Sequence, residues 1–338
     1  MIIRDMNGQM SLFDGISPLK ITKPLRLVEL FAGIGAQAKA LENLGVEFEH
    51  YRICEFDKFA VASYNAVHRT NFVPSDITKI HAADLGIVDT DKYDYIMTYS
   101  FPCTDISTAG RQAGMSKGSG TRSGLLWEVE RLLKEMNELP QILLMENVPG
   151  VISKKFCKDF YEWCVVLSAL GYTNKFALLN AKDYGIPQCR ERVFMISWRE
   201  RGLFYEFPKP QSCNDLLVDY LEQNVPDKYL LSTTILNGFI QKTIRGKRDS
   251  TGFRFAPTIG LCVAKTILTR EGNSSNNNFI ITSRGIRRLT PCECWRLMGF
   301  DDESFKRAAK VNSDTQLYKQ AGNSIVVAVL EAIFKQLF

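Results

Sequence analysis

At 338 residues, with 45% hydrophobic and 23% charged side chains, the chain has ample apolar material for a core and room for a second, smaller domain. Its formal charge of +5 permits a polyanionic partner without requiring one, and the overall balance excludes a disordered or fibrous chain. Nine cysteines, an odd number without a C-x-x-C pair, argue against a disulfide framework, and no apolar run approaches a membrane span; a reduced, cytoplasmic protein is expected.

Residues 1–24 lack periodicity and end in the breaker Lys23-Pro24, which predicts a flexible arm. From Leu25 the pattern sharpens. LRLVELF predicts a strand, Ala32 to Gly35 a turn, and AQAKALENLG an amphipathic helix closed by Gly45. YRICEF predicts a second strand with Glu55 at its end. Gly33, Gly35 and Ala38 fit the loose pattern G-x-G-x-x-G/A, and an acid about twenty residues on is where such a site keeps a carboxylate for a ribose hydroxyl. Glycine lets a backbone approach a ligand closely, so these residues point to an adenosine-type cofactor; a plain structural turn is the competing reading.

After the helix DKFAVASYNAVH, a short strand NFVPS leads to Asp76. The apolar, aromatic run YDYIMTYS then stops at Phe101-Pro102-Cys103. Pro102 has no N–H to donate, so Cys103 belongs on the loop past a strand's carboxyl end. The competing reading is a small buried hydrophobe. Residues 110–123 are Gly-rich and polar, which predicts a mobile loop. LLWEVERLLKEM predicts a helix, and PQILLMENVPG repeats the strand-and-breaker pattern with Glu146 at its end. Alternating strands and helices place consecutive parallel strand ends on one edge, so an acid, a thiol and a carboxyl group face one cleft. This is an α/β, Rossmann-like plan: a mostly parallel sheet with helices on both faces.

Beyond the helix FCKDFYEWCVVLSALG and the strand NKFALLN, Gln188, Arg190 and Arg192 alternate along an extended segment and share one face; a solvated edge is the competing reading. After Trp198 periodicity weakens, which predicts a smaller, irregular, β-rich domain over 199–286. Residues 287–338 return to complete the first domain, with AGNSIVVAVLEAIFKQLF a terminal helix capped by Asn323 or Ser324. The close pair Cys292 and Cys294 has no second Cys/His pair to complete a zinc site, so no metal is expected.

In chain order, FAGIG, an acid after the second strand, SDI, FPC, ENV, QxRxR, RxLTPxExxRLMGF and AGNS resemble the cytosine carbon-5 DNA methyltransferases. The resemblance covers residues 25–198 and 287–338, and reaches 199–286 only by position. Ala36 stands where the family commonly has Gly, and Thr104 where it commonly has Gln. The resemblance implies the fold of S-adenosylmethionine-dependent methyltransferases, with S-adenosylmethionine held by Phe31, Gly33, Gly35 and Pro102. It puts Glu55 on the ribose, Asp76 near the adenine amine, and Asn323 and Ser324 folded back to the methionine end. Cys103 would attack carbon 6 of a flipped-out cytosine in double-stranded DNA. Glu146 would protonate the ring nitrogen, and Arg192, supported by Arg190, would neutralise charge at the carbonyl. Arg111, Lys117 and Arg122 are candidates for phosphates, Ser107 and Gln188 for further substrate contacts, and Thr266 for reading the target. An RNA cytosine methyltransferase and a catalytically silent DNA-binding regulator are the rivals. A monomer is expected, and QMSLF (Gln9–Phe13) resembles the peptide with which bacterial proteins grip the replication sliding clamp, with an amphipathic tail as the alternative.

Overall fold

Apolar runs bounded by breakers become the strands of one sheet. They are β1 (Leu25–Leu30), β2 (Phe48–Cys54), β3 (Asp94–Tyr99), β4 (Ile142–Asn147), β5 (Thr173–Asn180) and β6 (Glu191–Trp198), in the spatial order β2-β1-β3-β4-β6-β5. The computed structural model describes residues 17–107, 112–211, 214–248, 255–271 and 278–338. β1 pairs in parallel with β2 and β3, and β3 with β4, whereas β6 runs antiparallel to both β4 and β5. The chain thus leaves β1 toward one edge and returns to its other side. That reversal opens a crevice beyond the carboxyl ends of β1 and β3, where open α/β sheets bind ligands.

The main helices among the described residues are α1 (Ala36–Asn43), α2 (Lys58–His68), α3 (Leu126–Glu135), α4 (Cys157–Ala169), α5 (Thr233–Arg248), α6 (Pro291–Arg296), α7 (Asp302–Ala309), α8 (Asp314–Asn323) and α9 (Val327–Phe334). Period-two alternation sends Leu27, Ile96 and Leu144 into one core with α1, α2 and α9, and Val28, Met97 and Met145 into the other with α3 and α4. Each such fully buried side chain contributes roughly 1.5–3 kcal/mol of transfer free energy, so both faces are firmly covered.

Four expectations are corrected. NFVPS forms no strand; its end is instead tied back by Ser75 N–H donating to the Glu55 carbonyl at 2.8 Å. Residues 17–24, read as part of an arm, lie against the sheet: Leu19 is buried, and Thr22 and Lys23 N–H both donate to Asp94 Oδ2. The segment 199–286 is irregular, but its longest described element is the helix α5; its strands are short, chiefly the hairpin β7 (Phe279–Thr282) and β8 (Gly285–Arg288). The terminal stretch is two helices: α8 ends at Asn323, and α9 starts after Val326, so neither Asn323 nor Ser324 is an N-cap.

Candidate active site

Register sets the strand ends level. Leu30 pairs with Cys54 on one side and Tyr99 on the other, and Tyr99 pairs with Met145. Phe31, Glu55, Ser100 and Glu146 therefore begin a single rim.

On the switch-point side, Phe31, Gly33 and Gly35 all have positive φ (57°, 57° and 77°). Phe31 holds this unusual conformation for a bulky residue because its N–H donates to the Cys54 carbonyl at 2.6 Å. A Cβ on Gly33 would meet nothing within 4 Å, so its backbone faces open space. Glu55 links the two turns: Oε2 accepts from Gly33 N–H at 2.9 Å and Oε1 from Asp57 N–H at 2.8 Å. Burial nevertheless pushes the Glu55 carboxyl up. Phe56, which sequence reasoning passed over, follows Glu55 and is 74% exposed, unusual for a bare ring. Asp76 follows Ser75 beside Glu55, and its carboxyl is held down by the Thr78 hydroxyl and N–H. The return segment reaches the same place. Lys319 pairs with Asp57 at 2.6 Å, and Gln320 donates to the Phe59 carbonyl, docking α8 on the start of α2.

Beyond β3, Cys103 caps a turn whose carbonyl accepts from Ile106 and Ser107 N–H. Pro102 is pinned from behind: the Ser123 hydroxyl donates to its carbonyl at 2.6 Å, while Ser123 N–H donates to Asp105. Asn147 Nδ2 donates to the Phe101 carbonyl at 2.9 Å. Gly150 is required because any Cβ there would sit 2.1 Å from the Ile106 carbonyl. Ser123, Asp105, Asn147 and Gly150 were not singled out from sequence; the only signal was their place in motifs already noticed.

Glu146 and Arg192 lie diagonally across the antiparallel β4–β6 pair, Glu146 facing Phe194, and Arg192 Nε meets Glu146 Oε1 at 3.1 Å. Both side chains are almost enclosed, 10% and 16% exposed. Burial pushes the Glu146 carboxyl up, and Arg192 and Arg190 only partly offset it. The half-buried Cys103 thiol is also pushed up, first by burial and then by Glu146, against the pull of Arg192 and Arg190. Thiol, carboxyl and guanidinium are thus close enough to bias one another.

Gln188 and Arg190 spend their side-chain hydrogen bonds on the protein itself. The chain turns at Cys189, with Arg190 N–H donating to Gln188 O and to Asn180 Oδ1, and Arg190 and Arg192 line one cavity together with Phe194, in keeping with their alternation. Gln188 is fully buried between Leu297 O and Ile267 N–H. Arg190 donates to the carbonyls of Ile267, Gly322 and Ser324 at 2.7–2.9 Å, stapling the 264–271 segment and the end of α8 to the sheet. Gly322 permits that contact, since a Cβ would lie 2.2 Å from Thr269 N.

The phosphate candidates separate too. Lys117 is engaged by the buried Glu130 at 2.5 Å, and the described part of its loop, 112–122, is fastened by Trp127 Nε1 donating to Met115 O. That part is folded down on α3. Arg122 is exposed. Arg111 lies outside the described residues. The Thr266 hydroxyl donates to Cys189 O at 2.6 Å, beside the two-residue pairing of Ala264–Lys265 with Gln188–Cys189.

The chain is similar to known proteins along most of its length. The type II methyltransferase M2.ScrFI of Lactococcus lactis subsp. cremoris is 33% identical, the match spanning 93% of this chain and 99% of that protein. The orphan methyltransferase M.SssI of Spiroplasma monobiae is also 33% identical, over 94% and 98%. Among solved structures, the Entamoeba histolytica methyltransferase EhMeth has the same fold with a TM-score of 0.73 at 18% identity, covering 94% of this chain and 98% of that one. The S. pombe Dnmt2 methyltransferase gives 0.70 at 20% identity, over 93% and 98%. The C-5 cytosine-specific DNA methylase family matches residues 25–338, and the chain belongs to that family.

Proposed function

We propose that this enzyme methylates carbon 5 of a cytosine flipped out of a specific duplex DNA sequence, through a covalent adduct on Cys103. The observation that carries this reading is the grouping of Cys103, Glu146 and Arg192 at one sheet edge, next to the glycine turn. Carbon 5 of cytosine is a poor nucleophile; addition of the Cys103 thiolate at carbon 6 makes it enamine-like. The electrons move toward the ring nitrogen, which the protonated Glu146 meets, and the carbonyl, whose charge Arg192 neutralises. Because Cys103 rests as a thiol, attack requires its proton to leave as the base arrives.

S-adenosylmethionine, when bound, supplies the methyl group. The crevice suits it: an open backbone at Gly33, a half-buried acid at Glu55, the exposed ring of Phe56, and Asp76 beside them. Asn323 and Ser324 would approach its methionine end as the α8 docking brings them around. Arg190 is a positioning residue in this reading, holding the return segment rather than touching the base.

Residues 199–286 would read the duplex, with Thr266 in that surface, and Arg122, Lys117 and Arg111 would meet phosphates. For Lys117 this means leaving Glu130. Gln9–Phe13, outside the described residues, is a candidate for sliding-clamp binding; clamp pull-down unchanged by removing residues 1–16 would end that idea.

Labelled methyl transfer to duplex DNA and to transfer RNA, followed by bisulfite sequencing, tests the assignment. DNA methylation with trapping on 5-fluorocytosine DNA is expected, and Cys103→Ser should abolish both while keeping cofactor binding. Transfer to RNA alone, or turnover without Cys103, would overturn it.

A further inference from the structure

All three ligand-type side chains of one cluster lie apart from the chemistry just described: Glu42 on α1, His50 on β2 and His68 in the last turn of α2. Their donor atoms fall within 4.8 Å of one another, with His68 Nδ1 2.7 Å and His50 Nε2 3.6 Å from Glu42 Oε1. A tetrahedral zinc ion, bonded at about 2.0–2.2 Å to such donors, sets neighbouring ligand atoms roughly 3.3 Å apart, so the cluster has the right scale.

Orientation adds a second, independent argument. His68 Nε2 lies 3.1 Å from the Ile34 carbonyl, which can only accept, so Nε2 carries a proton, and Nδ1, 2.7 Å from Glu42, is the nitrogen left to hold a metal. His50 Nδ1 lies 3.2 Å from the Tyr64 hydroxyl, whose own proton goes to Glu29 at 2.5 Å; the hydroxyl oxygen therefore accepts from Nδ1, and the Nε2 lone pair also faces Glu42. Metal-bound histidines are held in this way, the second nitrogen donating to a carbonyl or other acceptor. Lys39, the cation beside the cluster among the described residues, lies 3.9 Å from Glu42 Oε2 but has Asp301 as its nearer partner at 2.5 Å. Glu42 and His50 keep 31% and 20% of their side chains exposed, which leaves a water-accessible fourth position.

We propose that Glu42, His50 and His68 bind one divalent transition-metal ion of the zinc class, immediately behind the glycine turn. The ion would take the place of the proton otherwise shared between His68 Nδ1 and Glu42. It would cross-link α1, β2 and α2 and, through the Ile34 carbonyl, brace the turn that carries Gly33 and Gly35.

The test is titration of the full-length protein with cobalt(II) and competition with zinc, in the wild type, His50→Gln and Glu42→Gln, with circular dichroism confirming the fold. Glu42 is half-exposed, so Glu42→Gln serves if His50→Gln fails to fold. One ion per chain is expected, with visible bands of nitrogen and oxygen ligation, and affinity reduced by about tenfold or more in either variant. Absence of binding, equal affinity in the variants, or a thiolate-to-cobalt charge-transfer band pointing to the cysteines would overturn the proposal.

Discussion

Asn147 donates from Nδ2 to the Phe101 carbonyl at 2.9 Å, so the strand that carries Glu146 and the loop that carries Cys103 form one mechanical unit. Its Oδ1 accepts from Val148 N–H, and the side chain is 2% exposed, so both of its hydrogen-bonding ends are committed. Asn147→Ala leaves a buried carbonyl and a buried N–H unpaired. A stability loss of about 1–3 kcal/mol is expected by urea denaturation. The larger effect should be kinetic: looser placement of Cys103 against the acid should lower single-turnover methyl transfer by about tenfold or more while cofactor affinity stays near wild type. Loss of cofactor binding in parallel would show that Asn147 supports the whole rim.

The strand-end residues were legible in the sequence because each follows a buried apolar run cut by a breaker, and consecutive parallel strands leave no freedom about which edge the next residue occupies. That is why Glu55, Cys103 and Glu146 were readable. The partners of Arg190 were not, since the carbonyls of Ile267, Gly322 and Ser324 come from segments that only the fold brings to it. The helix α5 was hidden for a different reason: TTILNGFIQKTIRGKR is rich in Thr, Ile and Gly, which are weak helix formers, and its Phe239 packs on Phe255 and Phe279, at 5.3 and 5.6 Å, from distant sequence. The Glu42–His50–His68 cluster likewise has no local spacing signature, because its members come from three elements that only the fold joins.

The pH dependence of the chemical step follows from two raised groups. Glu146 acts through its protonated form, so its contribution is present below its folded pKa and is lost as pH rises through it; Cys103 acts as thiolate, so its contribution grows with pH. A bell-shaped single-turnover profile is expected. Glu146→Gln should lack the alkaline fall, keep the rise, and be slower by about 10²–10⁴-fold at the maximum. An alkaline fall retained in Glu146→Gln would assign the acid to another group.

Glu29 gives a stability prediction separate from catalysis. It is fully buried on β1, its Oε2 accepts from the Tyr64 hydroxyl, its Oε1 has no partner, and burial pushes its carboxyl from 4.5 up to about 7. A raised folded-state pKa means that this stability is fully present below 4.5 and is lost as pH rises through 7. The loss amounts to about 3 kcal/mol at most. Glu29→Gln cannot ionise, so relative to wild type it should gain stability as pH rises across that window. Parallel denaturation curves at both ends of the window would rule out an ionised Glu29 as the cause.

Gly33 and Gly35 share the left-handed backbone region yet should fail differently. A Cβ on Gly35 would stand 2.3 Å from His68 Nε2 and 2.6 Å from Tyr64 Cε2, both packed behind the turn. Gly35→Ala therefore adds overpacking of about 1–3 kcal/mol to the left-handed strain, and thermal unfolding should shift down clearly. A Cβ on Gly33 meets nothing, so Gly33→Ala bears only the backbone strain of about 1–2 kcal/mol. Its methyl group would project into the open crevice, against a bound cofactor. If contact there is lost by about 1.4 kcal/mol or more, affinity for S-adenosylmethionine falls at least tenfold, measurable by calorimetry on a protein that still folds. Wild-type affinity in Gly33→Ala would mean that the cofactor does not lie against this turn, whatever the fate of Gly35→Ala.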